Sequence, residues 1–243
     1  MCSNLFACNK SYGPTPIIVF LLLILAAAAL PAPADDASRL PLLARCDFEN
    51  GSAVGWRPNT PSHWRVIAKD GTMVYEVTAV SEQGRIRAPT SWSVWEGHDV
   101  TSFEFTGRMQ CYTDPAVAGR DLCVFFHYQD PVHFYYVHFS AESAAVHNII
   151  GLVNGADRIK VNVEPAGSSM ARLTDKAWHE FKVVCDARSG EIRAYLDDLI
   201  TPILTATDRT LTHGLVGVGS FDDTGCFDEL VLRGRATTSS GVK

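Results

Sequence analysis

The chain has 243 residues, with 21 Lys and Arg against 27 Asp and Glu, 10% aromatic residues and a formal net charge of −6. That balance argues against a nucleic-acid partner, which needs a basic footprint. The length suits one domain of ordinary size rather than several.

Residues 17–30 (IIVFLLLILAAAAL) are an unbroken apolar run of 14, preceded by Lys10 as the only charge. Ala32-Pro33-Ala34 then supplies the small-x-small pattern that a signal peptidase cleaves after. The run is shorter than the roughly 20 residues of a membrane span. Residues 1–34 are therefore expected to be a signal peptide, with an uncleaved signal-anchor as the alternative. The mature chain would start near Asp35, secreted or in the periplasm or cell envelope, and not membrane-embedded. Cleavage removes one base and no acid, leaving 20 basic against 27 acidic residues and a net charge of −7.

Residues 35–44 are Pro-, Ala- and Asp-containing and read as a flexible lead-in, followed by a domain over 45–234 and a disordered tail over 235–243. Short strand-like runs fill the domain. CDFE at 46–49 opens it, and WRVIAKDGTMVYEV at 64–77 alternates on both sides of Asp70-Gly71, a hairpin signal. RIRAP (85–89), SFEFTGRMQCY (102–112), DLCVFFHYQ (121–129), FYYVHFS (134–140), HNIIGLV (147–153) and RIKVNVE (158–164) follow. β-branched and aromatic residues dominate these runs, as strands prefer. No segment holds a helical apolar period over three turns, so the economical reading is an all-β, two-sheet antiparallel sandwich.

The last third is the most specific. WHEFKVVCDARSGEIRAYLDD (178–198) is two alternating strands joined at Ser189-Gly190, and GLVGVGSFDDTGCFDELVL (214–232) is a Gly-spaced strand, an acidic turn at Asp222-Asp223 and a closing strand. Glycines 214, 217 and 219 mark close backbone approach rather than a phosphate loop. The Trp-His strand opening, the Tyr-x-Asp-Asp hairpin partner and the terminal Phe-Asp strand resemble the concanavalin A-like (laminin G-like) jelly-roll superfamily of secreted bacterial proteins. The resemblance spans most of the mature chain. It implies a jelly roll, with a polysaccharide or glycoconjugate bound on the concave sheet.

Strand parity sorts the polar residues. Phe103, Phe105 and Met109 share one face, leaving Glu104, Thr106 and Arg108 on the other. Tyr135, Val137 and Phe139 read as core, leaving Tyr136 and His138 opposite. In DLCVFFHYQ, either His127 joins Cys123 and Phe125, or Tyr128 joins Val124 and Phe126. Arg158, Lys160 and Asn162 share a face. Laid side by side, these runs place Glu104, Arg108, His127, Tyr136, His138, Arg158 and Lys160 on one ligand surface, with His147 and Asn148 at its rim. Aromatic faces pack on sugar C–H groups while His, Arg and Asn bind hydroxyls or carboxylates.

Two enzymatic alternatives follow from the resemblance. Retaining glycosidases of this fold carry a Glu-x-Asp-x-x-Glu strand, which is missing from this sequence. Jelly-roll lyases of acidic polysaccharides use a Tyr or His base and an Arg to neutralise the uronate. Tyr136, His138, His127 and Arg108 supply those residue types. Secreted keto-disaccharide hydrolase domains share the architecture, and an envelope interaction module is the third class.

No cofactor is required by any of these readings. The resemblance allows a structural calcium near the paired first and last strands, where Asp47, Glu49 and Asn50 face Asp222, Asp223 and Asp228. The chain has no C-x-x-C pair and no H-x-x-x-H spacing on a helix, the usual zinc signatures, so a zinc site is not expected. Cys111 and Cys123 flank an 11-residue loop and could staple it; Cys46 and Cys226 would pair if the first and last strands adjoin. Cys185 alternates with Phe181 and Val183 and reads as a buried free thiol.

Overall fold

The computed structural model describes residues 40–163 and 172–237. The expected signal peptide, residues 35–39 of the lead-in and residues 238–243 of the tail lie outside this range. Sixteen strands are formed among the described residues, all pairings being antiparallel. They are β1 (Leu42–Cys46), β2 (Trp56–Pro58), β3 (Trp64–Lys69), β4 (Thr72–Val77), β5 (Ser91–Trp95), β6 (Val100–Cys111), β7 (Asp121–Asp130) and β8 (His133–Ser140). After them come β9 (Ile149–Asn154), β10 (Ile159–Lys160), β11 (Asn162–Val163), β12 (His179–Asp186), β13 (Glu191–Leu196), β14 (Leu204–Thr207), β15 (Leu215–Ser220) and β16 (Gly225–Ala236).

One sheet of nine strands runs β11-β14-β13-β12-β6-β16-β4-β3, with β1 added along β16. The other, of seven, runs β10-β9-β8-β7-β15-β5-β2. The hairpins expected at Asp70-Gly71 and Ser189-Gly190 are present: Asp70, Gly71 and Gly190 take positive φ of 50°, 87° and 79°, as the tight reversals need. The domain starts three residues earlier than expected, because Leu42–Cys46 zips onto the closing strand (Cys46 opposite Leu230) instead of trailing as a lead-in.

The main core lies between the sheets. Phe103, Phe105 and Met109 of β6 pack there against Tyr135, Val137 and Phe139 of β8 and Phe181 and Val183 of β12, as alternation predicts. A second apolar cluster covers the outer face of the seven-stranded sheet. It contains Trp92, Cys123, Phe125, Tyr128, Phe134, Tyr136, Ile149 and Phe221. RIRAP, expected as a strand, is irregular. It lies in the segment 78–90 that crosses this face, with Ala88 buried in the cluster and Ile86 against it. Pro89 cannot donate to a ladder, which disfavours a strand there.

The staples expected between cysteines do not form, and all five described cysteines are free thiols. Cys111 faces the inter-sheet core while Cys123 faces the outer cluster, so the two side chains lie on opposite sides of the seven-stranded sheet. Cys46 sits opposite Leu230, whereas Cys226 sits opposite Gln110 and Glu76, four residues further along β16. Cys185 is buried with Phe181 and Val183, as its alternation indicated. Thiol titration of denatured, unreduced protein cleaved at Asp35 is expected to return all five groups; three would mean that one staple forms after all.

Candidate functional site

The single ligand surface expected from parity is divided by the topology. β6 belongs to the nine-stranded sheet and β7 and β8 to the other, so Glu104 and Arg108 face away from Tyr136 and His138. Glu104 lies across from Val184 of β12 and Arg233 of β16, on the outer side of its sheet. Arg108 lines a groove of about 510 Å³ with Arg45, Asp47, Glu49, Thr72 and Asp228. Its Nη2 donates to Asp228 Oδ2 at 2.5 Å, and the guanidinium stands 4.6 Å from the Trp178 ring centre.

Three expected calcium ligands share that groove, each with its own protein partners. Asp228 is bonded to Arg108. Glu49 accepts from Thr72 Oγ1 (2.5 Å) and Met73 N (2.9 Å), bonds that hold its carboxyl below the usual range. Asp47 accepts from Glu49 N. Asp222 and Asp223 are elsewhere, beside Asp121, so the six oxygen ligands do not form one set.

His127 lies inside the sandwich. A bulge at this residue (φ 44°) turns its ring inward, where Nε2 lies 2.7 Å from Thr101 O and Nδ1 3.0 Å from Leu211 O. Tyr128 consequently joins Cys123 and Phe125 on the outer face, so neither alternative for this strand is realised. Tyr136 is fully buried, its ring filling the space above Gly151, and burial raises its phenol; it cannot reach a polysaccharide as a base. Asn148 is buried and structural, accepting from Ser140 N and donating to Ser143 Oγ. Lys160 and Asn162 part company because the chain changes sheets between β10 and β11. Asn162 turns in to accept from Ile150 N.

His138, His147 and Arg158 are brought together. They line a cleft of about 370 Å³ at one end of the covered sheet face, with Arg87, Asp121, Phe221, Asp222 and Asp223. The overlying segment is pinned here: Arg87 N donates to Asp157 Oδ1 (2.8 Å), Arg158 N donates to Arg87 O (3.0 Å), and Thr90 Oγ1 donates to Phe221 O (2.5 Å). These bonds set both guanidinium groups 4.4 Å from the centre of the Phe221 ring. Arg158 Nη1 is buried there with no hydrogen-bond partner.

Beneath the arginines is a buried acid–imidazole pair. Asp121 Oδ1 accepts from Phe221 N (2.8 Å) and Ser220 Oγ (3.1 Å), while Oδ2 lies 3.3 Å from His138 Nε2. Burial would raise Asp121, but His138 and these hydrogen bonds hold its carboxyl low. Asp223 accepts from Asp121 N (2.7 Å) and from Thr113 Oγ1, and burial raises it. Asp222, at the exposed edge, is raised by partial desolvation and the neighbouring Asp121 carboxylate. His147 sits 2.8 Å from Glu142 and is lowered by desolvation and by His138.

No family model matches the sequence, and no curated protein matches it. Solved structures do. The chain is similar to the carbohydrate binding module CBM66 from Bacillus subtilis (13% identity, TM-score 0.50, covering 74% of this chain and 95% of that one). It is similar to a Bacillus subtilis protein with a galectin-like fold (13%, 0.51, 81% and 97%). It also matches a GH16 protein of the Bacteroides ovatus mixed linkage glucan system, solved with a product (11%, 0.51, 77% and 98%). The fold is the concanavalin A-like jelly roll. At these identities the likeness concerns the fold alone.

Asp121, Arg87 and Phe221 were not singled out in the sequence. An acid opening an otherwise apolar strand, DLCVFF, was the one local sign of Asp121, since a buried carboxylate needs dedicated partners. Arg87 and Phe221 carry no local sign, because each becomes a cleft residue only through the overlying segment and the β15–β16 turn.

Proposed function

We propose that this protein is an exported carbohydrate-recognition domain that binds an anionic polysaccharide or glycoconjugate at the Arg87–Arg158–His147 cleft, without catalysis. The observation that carries the reading is the Arg87–Phe221–Arg158 stack with the buried, unbonded Nη1 of Arg158. Planar guanidinium groups held on a ring bind carboxylates or sulfates bidentately, and stacking reduces the freedom they lose on binding. A volume near 370 Å³ lies at the small end of ligand sites and suits one or two sugar units at a chain end. Proteins of similar fold include one described as a carbohydrate binding module and one solved with a glucan product. The lyase alternative loses Tyr136 as a base, because that phenol is buried, and Arg108 lies on the other sheet.

Calorimetric titration of the purified chain with uronate-bearing, sulfated and neutral oligosaccharides tests this. The charged ligands are expected to bind and to weaken as salt rises. Arg158→Ala should reduce affinity at least about tenfold, since a charge-assisted bond contributes roughly 1.5–3 kcal/mol. Equal binding of neutral and charged sugars, or the appearance of shortened or unsaturated products, would overturn it.

A further inference from the structure

We infer that the cleft takes the non-reducing end of a uronate chain, with the terminal carboxylate at Arg158 and the hydroxyl beside it at Asp222, an assignment that rests on the glycan reading above. Two side chains lining the cleft lack complementary partners. Arg158 Nη1 is buried with no acceptor. The Asp222 carboxylate has Arg87 and His138 as charge partners but, among the described residues, no hydrogen-bond donor. Asp222 follows Phe221, the ring on which both guanidinium groups rest, so the missing acceptor and the missing donor open into one space.

The other charged groups of the cleft are answered within the protein. His138 Nε2 lies 3.3 Å from Asp121 Oδ2, and His147 Nδ1 lies 2.8 Å from Glu142 Oε1. Asp223 accepts from Asp121 N and Thr113 Oγ1. Arg87 and Arg158 are therefore set against Asp222 and Asp223, and the cleft holds no excess of positive charge for a polyanion. A densely sulfated chain would bring further anions against Asp222, which like-charge repulsion opposes. The oxygens of Asp222 lie within 4.8 Å of those of Asp121, so a ligand hydroxyl donating to Asp222 also screens two like charges. What the site lacks is one anionic acceptor and one donor.

A uronate supplies both on adjacent ring carbons. Its carboxylate accepts a charge-assisted bond from Arg158 Nη1, and the hydroxyl on the next carbon donates to Asp222, which as a carboxylate only accepts. A neutral sugar has the hydroxyl without the anion. In uronans joined through that hydroxyl, it is free only at the non-reducing end, so the need for a donor selects chain ends over chain interiors. A space near 370 Å³ fits an end and not a long run. Sites built around a substrate hydroxyl reject the analogue that lacks it, because the protein acceptor is left unpaired. Asp222 is exposed, so water replaces part of the lost bond and the discrimination is expected near tenfold, below that of closed sites.

The deciding experiment is calorimetric titration of the whole purified chain with matched uronate trisaccharides of the galacturonate and mannuronate types. One set is made by hydrolysis and keeps the end hydroxyl. The other is made with a lyase, whose elimination removes that hydroxyl and leaves the carboxylate. At least one hydrolytic trisaccharide is expected to bind about tenfold more tightly than its lyase-made counterpart, the effect of one hydrogen bond to a charged group. Asp222→Asn, at an exposed position, should bring that pair within about twofold with an unchanged circular dichroism spectrum. A preference that survives in Asp222→Asn would trace to ring shape and overturn the role of Asp222. Equal binding of the two sets by the wild-type chain would overturn end recognition while leaving anionic-glycan binding in place. So would tighter binding of a sulfated oligosaccharide than of any uronate. If no charged oligosaccharide bound at all, the glycan reading itself would fall, and this assignment with it.

Discussion

Replacing Arg120 with methionine is expected to cost about 3 kcal/mol or more of stability, because three buried carbonyls lose their donor at roughly 1–3 kcal/mol each. The side chain is fully buried. Nη1 donates to Leu173 O (3.0 Å) and to Asp175 O, and Nη2 donates to Cys111 O (2.8 Å). Three carbonyls from two separate parts of the chain, the end of β6 and the stretch entering β12, thus depend on one guanidinium. Methionine fills much of the volume but donates nothing, and each stranded carbonyl costs roughly 1–3 kcal/mol. Lysine is no substitute, because a point-like ammonium cannot reproduce the planar fork. In a domain of this size each kcal/mol lowers Tm by roughly 2–4 °C, so a fall on the order of 10 °C should be seen by calorimetry. A loss below about 1 kcal/mol would show that the carbonyls find other donors.

The two hairpins at Asp70-Gly71 and Ser189-Gly190 were legible because turn chemistry is local, and the core faces of β6 and β8 because alternation is local. Which sheet a strand joins is not local. β6 and β7 follow one another in sequence but lie in opposite sheets, so the polar faces that alternation assigned to one surface point in opposite directions. The bulge at His127 is a second failure of the same kind. One residue at positive φ reverses the parity of everything beyond it, and DLCVFFHYQ has no glycine to announce the break. The outer face of the seven-stranded sheet, expected to form part of a ligand surface, is a covered second core because RIRAP packs over it instead of pairing. His138, His147 and Arg158, which alternation assigned to one surface, line one cleft. Their acidic counterpart was split, since the calcium site implied by the resemblance grouped Asp222 and Asp223 with Asp228, while their spatial partner is Asp121, about a hundred residues away.

Gly219→Ala should be at least as damaging as the arginine change, by about 3 kcal/mol or more, the upper range for overpacking a core. β15 runs between β5 and β7, and a Cβ on Gly219 would stand 2.0 Å from Ser91 O, 2.9 Å from Trp92 Cα and 2.9 Å from the Phe125 ring. Two of these obstacles are backbone, so no rotamer change relieves them; β5 and β15 would have to separate where Gly219 lies opposite Trp92. The displacement would reach the cleft, because Ser220, Phe221 and Asp222 follow directly and hold Asp121 Oδ1 through Ser220 Oγ and Phe221 N. Stability and affinity for charged oligosaccharides are therefore expected to fall together. Gly84→Ala is the matched control: its added methyl meets nothing within 4 Å, and denaturant unfolding should stay within about 0.5 kcal/mol of wild type. If Gly219→Ala matched that control, the backbones of β5 and β15 would have room that their spacing denies. The geometry at Phe221 would then be held by Thr90, the Asp121 carboxylate and the two stacked arginines rather than by the spacing of β5 and β15.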